Sequence, residues 1–179
     1  MTFDWKNTFG SPKLIAIAGR PCMGKTTMAL KLAQKIAETG NVAVIENEDC
    51  TSRERFEKQL NKNTGKLVLV VDTMQKLIEQ MGEEDDEFII NELKRFIEDN
   101  QCNVIVTLEL TRAVEERKPH FPSVYDLVQP TGRTKAMFDM FGAIYRESYY
   151  KIGGCNDACL IFKDADDNVT FVLTDKGGN

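Results

Sequence analysis

Gly19-Arg20-Pro21-Cys22-Met23-Gly24-Lys25-Thr26 stands between an apolar run, Leu14-Ile15-Ala16-Ile17-Ala18, and a segment in which Met28, Leu32 and Ile36 recur at helical spacing beside Ala29 and Ala33. A strand that turns through a glycine-bearing loop into a helix is the setting of a phosphate-binding loop, and the order of residue types here satisfies that pattern throughout. Gly19 and Gly24 allow the sharp turn that aims backbone N–H groups at phosphate oxygens, and the positive end of the following helix faces the same anion. Lys25 is then placed to reach the terminal phosphates. Thr26 is placed to ligate a magnesium ion bridging them, and Thr27 adds a further hydroxyl. A turn that only joined strand to helix would need neither the lysine nor the threonines. The Met28, Leu32 and Ile36 stripe reads as core packing.

The rest of the chain repeats the same alternation. Val42 to Ile45 is a short apolar strand that leads into Glu46-Asn47-Glu48-Asp49, and Ser52 to Asn61 has helical character. Lys66 to Val71 is the strongest buried-strand signal and ends at Asp72, which has the chemistry of a Walker B acid that orients a magnesium shell. The acids from Glu83 to Glu87 suit the start of a helix that runs to about Asp99, followed by a strand from Val104 to Leu108. From Thr111 to Thr134 no period is visible, and Pro119, Pro122, Pro130 and Gly132 mark a long loop with one short helical turn. Strands return at Phe141 to Tyr145, Ala158 to Lys163 and Val169 to Leu173, the last two joined by a turn at Asp164 to Asn168. Alternating strands and helices around a phosphate loop imply a mostly parallel sheet covered on both faces, with the ligand at the carboxyl ends of the strands.

Composition excludes several classes. A chain of 179 residues is long enough for one domain burying roughly 70% of its unfolded surface, and no internal repeat divides it. With 23 Lys and Arg against 28 Asp and Glu the net charge is −5, so contact with nucleic acid needs a local basic patch. No apolar run approaches the roughly 20 residues of a membrane span, and the N-terminus lacks a secretory apolar segment; a cytoplasmic protein is expected, without a membrane partner. Five cysteines at irregular spacing fit reduced thiols. One histidine, His120, and a lone Cys155/Cys159 pair are too few for a zinc site.

Taken together, Ala18-Gly19-Arg20-Pro21 ahead of Met23-Gly24-Lys25-Thr26-Thr27, then Val71-Asp72-Thr73-Met74-Gln75, Leu110-Thr111-Arg112 and Ile144-Tyr145-Arg146 resemble the RecA-type motor domain of DnaB-like replicative helicases over most of the chain. The Arg-Pro pair inside the loop and the Asp-x-x-Gln after the buried strand are the more specific parts. The resemblance implies an α/β RecA-like P-loop NTPase fold, with a mostly parallel central sheet, helices on both faces and a C-terminal β-hairpin, as one nucleotide-binding domain over residues 1–179. It implies ATP and Mg2+ as cofactors, with Gly19, Arg20, Pro21, Cys22, Met23, Gly24, Lys25, Thr26 and Thr27 around the phosphates and Thr26 and Asp72 at the metal. Lys25, Glu48 and Lys163 would be catalytic, Glu48 by polarising water and Lys163 by reaching a neighbouring subunit's nucleotide. Glu46 and Asp49 lie close enough to take the role of Glu48.

The same resemblance implies an ATPase, a homo-oligomer or a replication-protein partner, and single-stranded DNA along residues 112–135. That stretch offers Arg112, Arg117, Lys118, Arg133 and Lys135 interrupted by Glu115, Glu116 and Asp126, so a solvated mixed-charge loop explains it as well as a phosphate track does. Three departures qualify the motor reading. The segment between the acidic cluster and the Asp72 strand is short, Glu109 replaces a glutamine that senses the terminal phosphate, and Ala165 replaces an arginine finger. The expected function is therefore an ATP-binding, DnaB helicase-like, DNA replication-associated ATPase with weak intrinsic hydrolysis, and the alternative is a nonmotor ATP-binding regulator or adaptor built on the helicase fold.

Overall fold

Runs of Val, Ile, Leu and Ala too apolar to face water on either side form the centre of the molecule. The computed structural model describes residues 8–37, 41–46, 52–81, 86–116, 118, 120, 122–123, 126–127, 137–163 and 169–175. Seven strands form one sheet: β1 Leu14–Gly19, β2 Val42–Glu46, β3 Val68–Asp72, β4 Asn103–Glu109, β5 Met140–Arg146, β6 Ala158–Lys163 and β7 Val169–Asp175, in the order β2-β3-β4-β1-β5-β6-β7. The first five are parallel to one another. β6 and β7 are antiparallel additions at one edge, which makes the C-terminal hairpin. The expected α/β RecA-like fold, mostly parallel with a C-terminal hairpin, is the one observed.

The two faces carry separate cores. Helix α1, Lys25–Ala37, buries Met28, Ala29, Leu32 and Ala33 against Ile15, Ile17, Val70 and Ile105. Helices α2 Arg53–Lys62, α3 Met74–Met81 and α4 Asp86–Asn100 cover the other face, where Phe56, Leu77 and Leu93 meet Ala16, Leu69, Val71, Val104 and Val106. Alternate residues of one strand thus serve opposite cores, as the period-2 geometry of a strand requires. Ser52 caps α2 by accepting from Arg55 N at 3.3 Å, and Gln101, at φ 51°, ends α4 in the left-handed conformation.

Three local differences from the sequence reading have clear causes. β3 begins at Val68, because Lys66 still belongs to the turn after α2, its N bonded to Asn63 O at 3.2 Å. Helix α3 follows β3 almost without a connection and carries no acidic residue in its first turn, so it shows neither a loop nor a charge signal at its start. The irregular stretch after β4 holds the one short helix expected there, α5 Ala113–Glu116, whereas β5 leads directly into another that sequence did not indicate, α6 Glu147–Tyr150, whose four residues are too few to show a period. Residues 164–168, the expected turn of the hairpin, lie outside the described residues. Among the described residues no helix is long and apolar enough to cross a membrane.

Candidate nucleotide site

β1, β3 and β4 end side by side in the middle of the sheet, with Gly19 in register with Glu109. From Gly19 the chain turns over these ends and enters α1 at Lys25. Cys22 has φ 62° and Gly24 φ 87°, the left-handed conformations that fold a backbone into an anion-binding concavity. Beneath the loop Met23 is fully buried as its anchor. A Cβ on Gly19 would lie 3.1 Å from Lys25 Cγ and 3.4 Å from Ile144 Cβ, so this position admits little more than hydrogen.

Lys25 lies beneath the loop, 9% exposed, and donates to Gly19 O at 3.3 Å and Arg20 O at 3.4 Å. Its ammonium is 3.7 Å from the Glu109 carboxylate. Burial lowers the pKa of Lys25, while Glu109 and Asp72 push it back up. Thr26 donates to Asp72 Oδ2 at 2.6 Å, and Thr107 on β4 donates to Asp72 Oδ1 at 2.5 Å. The Asp72 carboxylate is therefore fixed at both oxygens and aimed at the first turn of α1. Such a hydroxyl and carboxylate pair beside a buried lysine is an oxygen donor set suited to a hard divalent cation.

Arg20 behaves differently from its loop neighbours. Its side chain turns away from the concavity, donating from Nε to Glu115 Oε1 at 2.6 Å and from Nη1 to Leu110 O at 2.7 Å. Pro21, Cys22, Thr26 and Thr27 are exposed along the loop and the first turn of α1. Glu46 is exposed at the end of β2, in register with Asp72, whereas Glu48 and Asp49 lie outside the described residues. Lys163 ends β6, remote from the loop in strand order, and Ala165 lies outside the described residues. Of the basic residues expected to line a DNA track, Arg112 and Lys118 are exposed, and Arg117, Arg133 and Lys135 lie outside the described residues.

Two residues gain a place here that sequence did not assign. Thr107, fully buried within the apolar β4 run, donates its hydroxyl to Asp72; a buried hydroxyl must find such a partner. Arg146, at the end of β5, has Nη2 3.6 Å from where a Cβ on Gly24 would lie, and its Nε is buried with no hydrogen-bond partner among the described residues. A guanidinium with an unsatisfied buried Nε at the rim of an anion-binding loop fits a phosphate-bearing ligand. The positive-φ pair, the crowding at Gly19 and this orphaned donor together accommodate a nucleotide with its metal.

A phosphate loop at the carboxyl ends of a mostly parallel sheet, with a carboxylate fixed across from the loop threonine, defines a P-loop NTPase of RecA-like fold. The model of one family, described as Novel STAND NTPase 3, matches residues 4–142, and the chain belongs to that family. No curated protein matches. Among solved structures the chain is similar to the ATPase domain of G40P (18% identity, TM-score 0.66), covering 90% of this chain and 80% of that one. It is similar to a DnaB-like replicative helicase solved for its interactions with primase (18%, TM-score 0.67, 90% of this chain and 55% of that one). It is also similar to the RadB recombinase (12%, TM-score 0.62, 93% and 87%). At these identities the likeness establishes the fold, and the resemblance to DnaB-type ATPase domains holds at that level.

Proposed function

We propose that residues 1–179 act as one nucleotide-binding domain that takes ATP with Mg2+ and hydrolyses it weakly. The carrying observation is the convergence of Lys25, Thr26 and Asp72 under one loop, with Asp72 held at both oxygens. Backbone N–H groups from Gly19 to Thr27 would surround the phosphates, Lys25 would leave the Gly19 and Arg20 carbonyls to meet them, and Thr26 and Asp72 would hold the metal. The bound metal supplies charge neutralisation at the phosphates. Thr107 keeps the Asp72 carboxylate oriented, and Arg146 adds a cation from the same subunit. Glu48, or its neighbours Glu46 and Asp49, would orient water, and Lys163 would act across a subunit boundary.

Weak turnover follows from two residues. Glu109 puts a carboxylate beside Lys25, where like charge opposes a terminal phosphate, and Ala165 offers no arginine finger. This supports a nonmotor ATP-binding regulator or adaptor over a replicative motor that unwinds DNA by itself. A DNA replication association, a homo-oligomer or replication partner, a cytoplasmic location and weak single-stranded DNA contact through residues 112–135 complete the proposal. Isothermal titration with ATP and Mg2+ tests it. Lys25→Ala should weaken binding by at least about tenfold, the lower end for a lost charge-assisted hydrogen bond, with the fold unchanged by circular dichroism. Equal affinity in that variant would refute the nucleotide assignment.

A further inference from the structure

An arginine inside a phosphate loop is expected to grip phosphate, yet the Arg20 side chain, 11% exposed, is spent elsewhere. Its Nε meets the Glu115 carboxylate on α5 at 2.6 Å and its Nη1 meets Leu110 O at 2.7 Å. Leu110 N in turn donates to Gly19 O at 3.3 Å. Both backbone polar groups of Leu110 are thus bonded to the first two residues of the loop. Leu110 also bridges Leu127, and Thr111 N donates to Asp126 O at 2.6 Å, so the start of the β4–β5 connection meets residues 126–127 at this point.

On its other side Glu115 leads to an aromatic group. Tyr149 OH donates to Glu115 Oε1 at 3.4 Å, and Tyr149 meets Tyr150 edge to face. His120 stacks on Tyr150 with ring centroids 4.8 Å apart, and its Nδ1 lies 3.2 Å from Val114 O, next to Glu115 in α5. A continuous chain of contacts therefore runs from the loop through Arg20 and Glu115 to His120. At its loop end stands a group with two possible partners: Lys25 bonds the Arg20 carbonyl at 3.4 Å here, and phosphate would compete for the same ammonium.

We infer that Arg20 is a positioning residue that couples the phosphate loop to the β4–β5 connection, so that nucleotide binding and the packing of that connection around His120 stabilise each other. The inference rests on the nucleotide reading above. By linkage, whatever the connection contributes to nucleotide affinity, nucleotide returns to the connection in equal measure.

His120 is the only histidine in the sequence, so its ring is an unambiguous reporter by NMR in full-length protein labelled at histidine. Adding ADP with Mg2+ should move the His120 ring resonances in the wild type. In Arg20→Met and in Glu115→Ala the response should vanish and ADP affinity should fall by about fivefold or more, the lower range of coupling between sites. The double variant should lose no more than the larger single loss, because both remove one shared contact. Glu115 is partly exposed, so Glu115→Ala carries the test even where Arg20→Met does not fold. A merely structural tie would lower the melting temperature and leave the ADP-induced shift intact, and that result overturns the coupling, as do strictly additive losses. Wild-type protein that binds ADP with a silent His120 sinks the coupling alone, whereas wild-type protein that binds no nucleotide removes the functional reading beneath it as well.

Discussion

Cys22 and Cys102 show how strongly position within the fold sets the chemistry of one residue type. Cys22 is exposed in the phosphate loop, while Cys102 is 1% exposed and burial pushes its thiol up to about 11. Thiolate is the reactive form, so at neutral pH an alkylating reagent should label Cys22 and spare Cys102 in the native protein. ATP with Mg2+ should slow labelling of Cys22, read by peptide mass spectrometry, because the ligand would cover its loop. Equal labelling with and without nucleotide would place the ligand elsewhere. Residues such as Lys25, Thr26 and Asp72 were legible in the sequence because their motif is local or ends a strand. The partnership of Thr107 with Asp72 was not, since the two lie on different strands and an isolated threonine in an apolar run carries no mark of what it faces. Arg20 illustrates the same limit: the motif shows which residue is in the loop, and only tertiary contacts show where its guanidinium goes.

At the scale of elements, β5 owes its fit to an absent side chain. A Cβ on Gly142 would lie 2.7 Å from Phe162 Cε1 and 2.9 Å from Leu160 Cδ1, both on the neighbouring β6. Phe162 is 1% exposed and meets Phe9 edge to face at 6.4 Å, so it has little freedom to yield. Gly142→Ala should therefore destabilise the protein by about 1–3 kcal/mol, as overpacking does, and lower the melting temperature by roughly 2–4 °C per kcal/mol; an unchanged melting temperature would show that the hairpin shifts freely. Strand and helix alternation was readable from periodicity because each element repeats its apolar pattern over several residues. Helix α3 escaped because it begins at once after β3, and α6 because four residues are too few for a period to show.

For the whole molecule, net charge of −5 makes nucleic-acid binding by a single copy weak and sharply dependent on salt. Reversing charge at Arg117 and Lys118 should lower both affinity for single-stranded DNA and the slope of affinity against salt; binding indifferent to both changes would remove the 112–135 track. Turnover belongs to this scale too, because a finger carried on the C-terminal hairpin would act on a neighbouring copy's nucleotide. The isolated wild-type protein should hydrolyse ATP far below about 10 per second, a common enzyme rate, and Ala165→Arg combined with Glu109→Gln should raise the rate in a phosphate-release assay where copies assemble. Ordinary motor rates in the wild type would contradict the roles given to both positions.

The strand order also governs when the site can exist during synthesis. β1 emerges from the ribosome well ahead of both its neighbours, β4 and β5, which follow β2, β3 and the helices between them. Such distant pairings must close long loops before they are rewarded. A nascent chain will therefore expose its phosphate loop well before β4 arrives to support it, and nucleotide can stabilise the fold only after β4 and β5 have emerged.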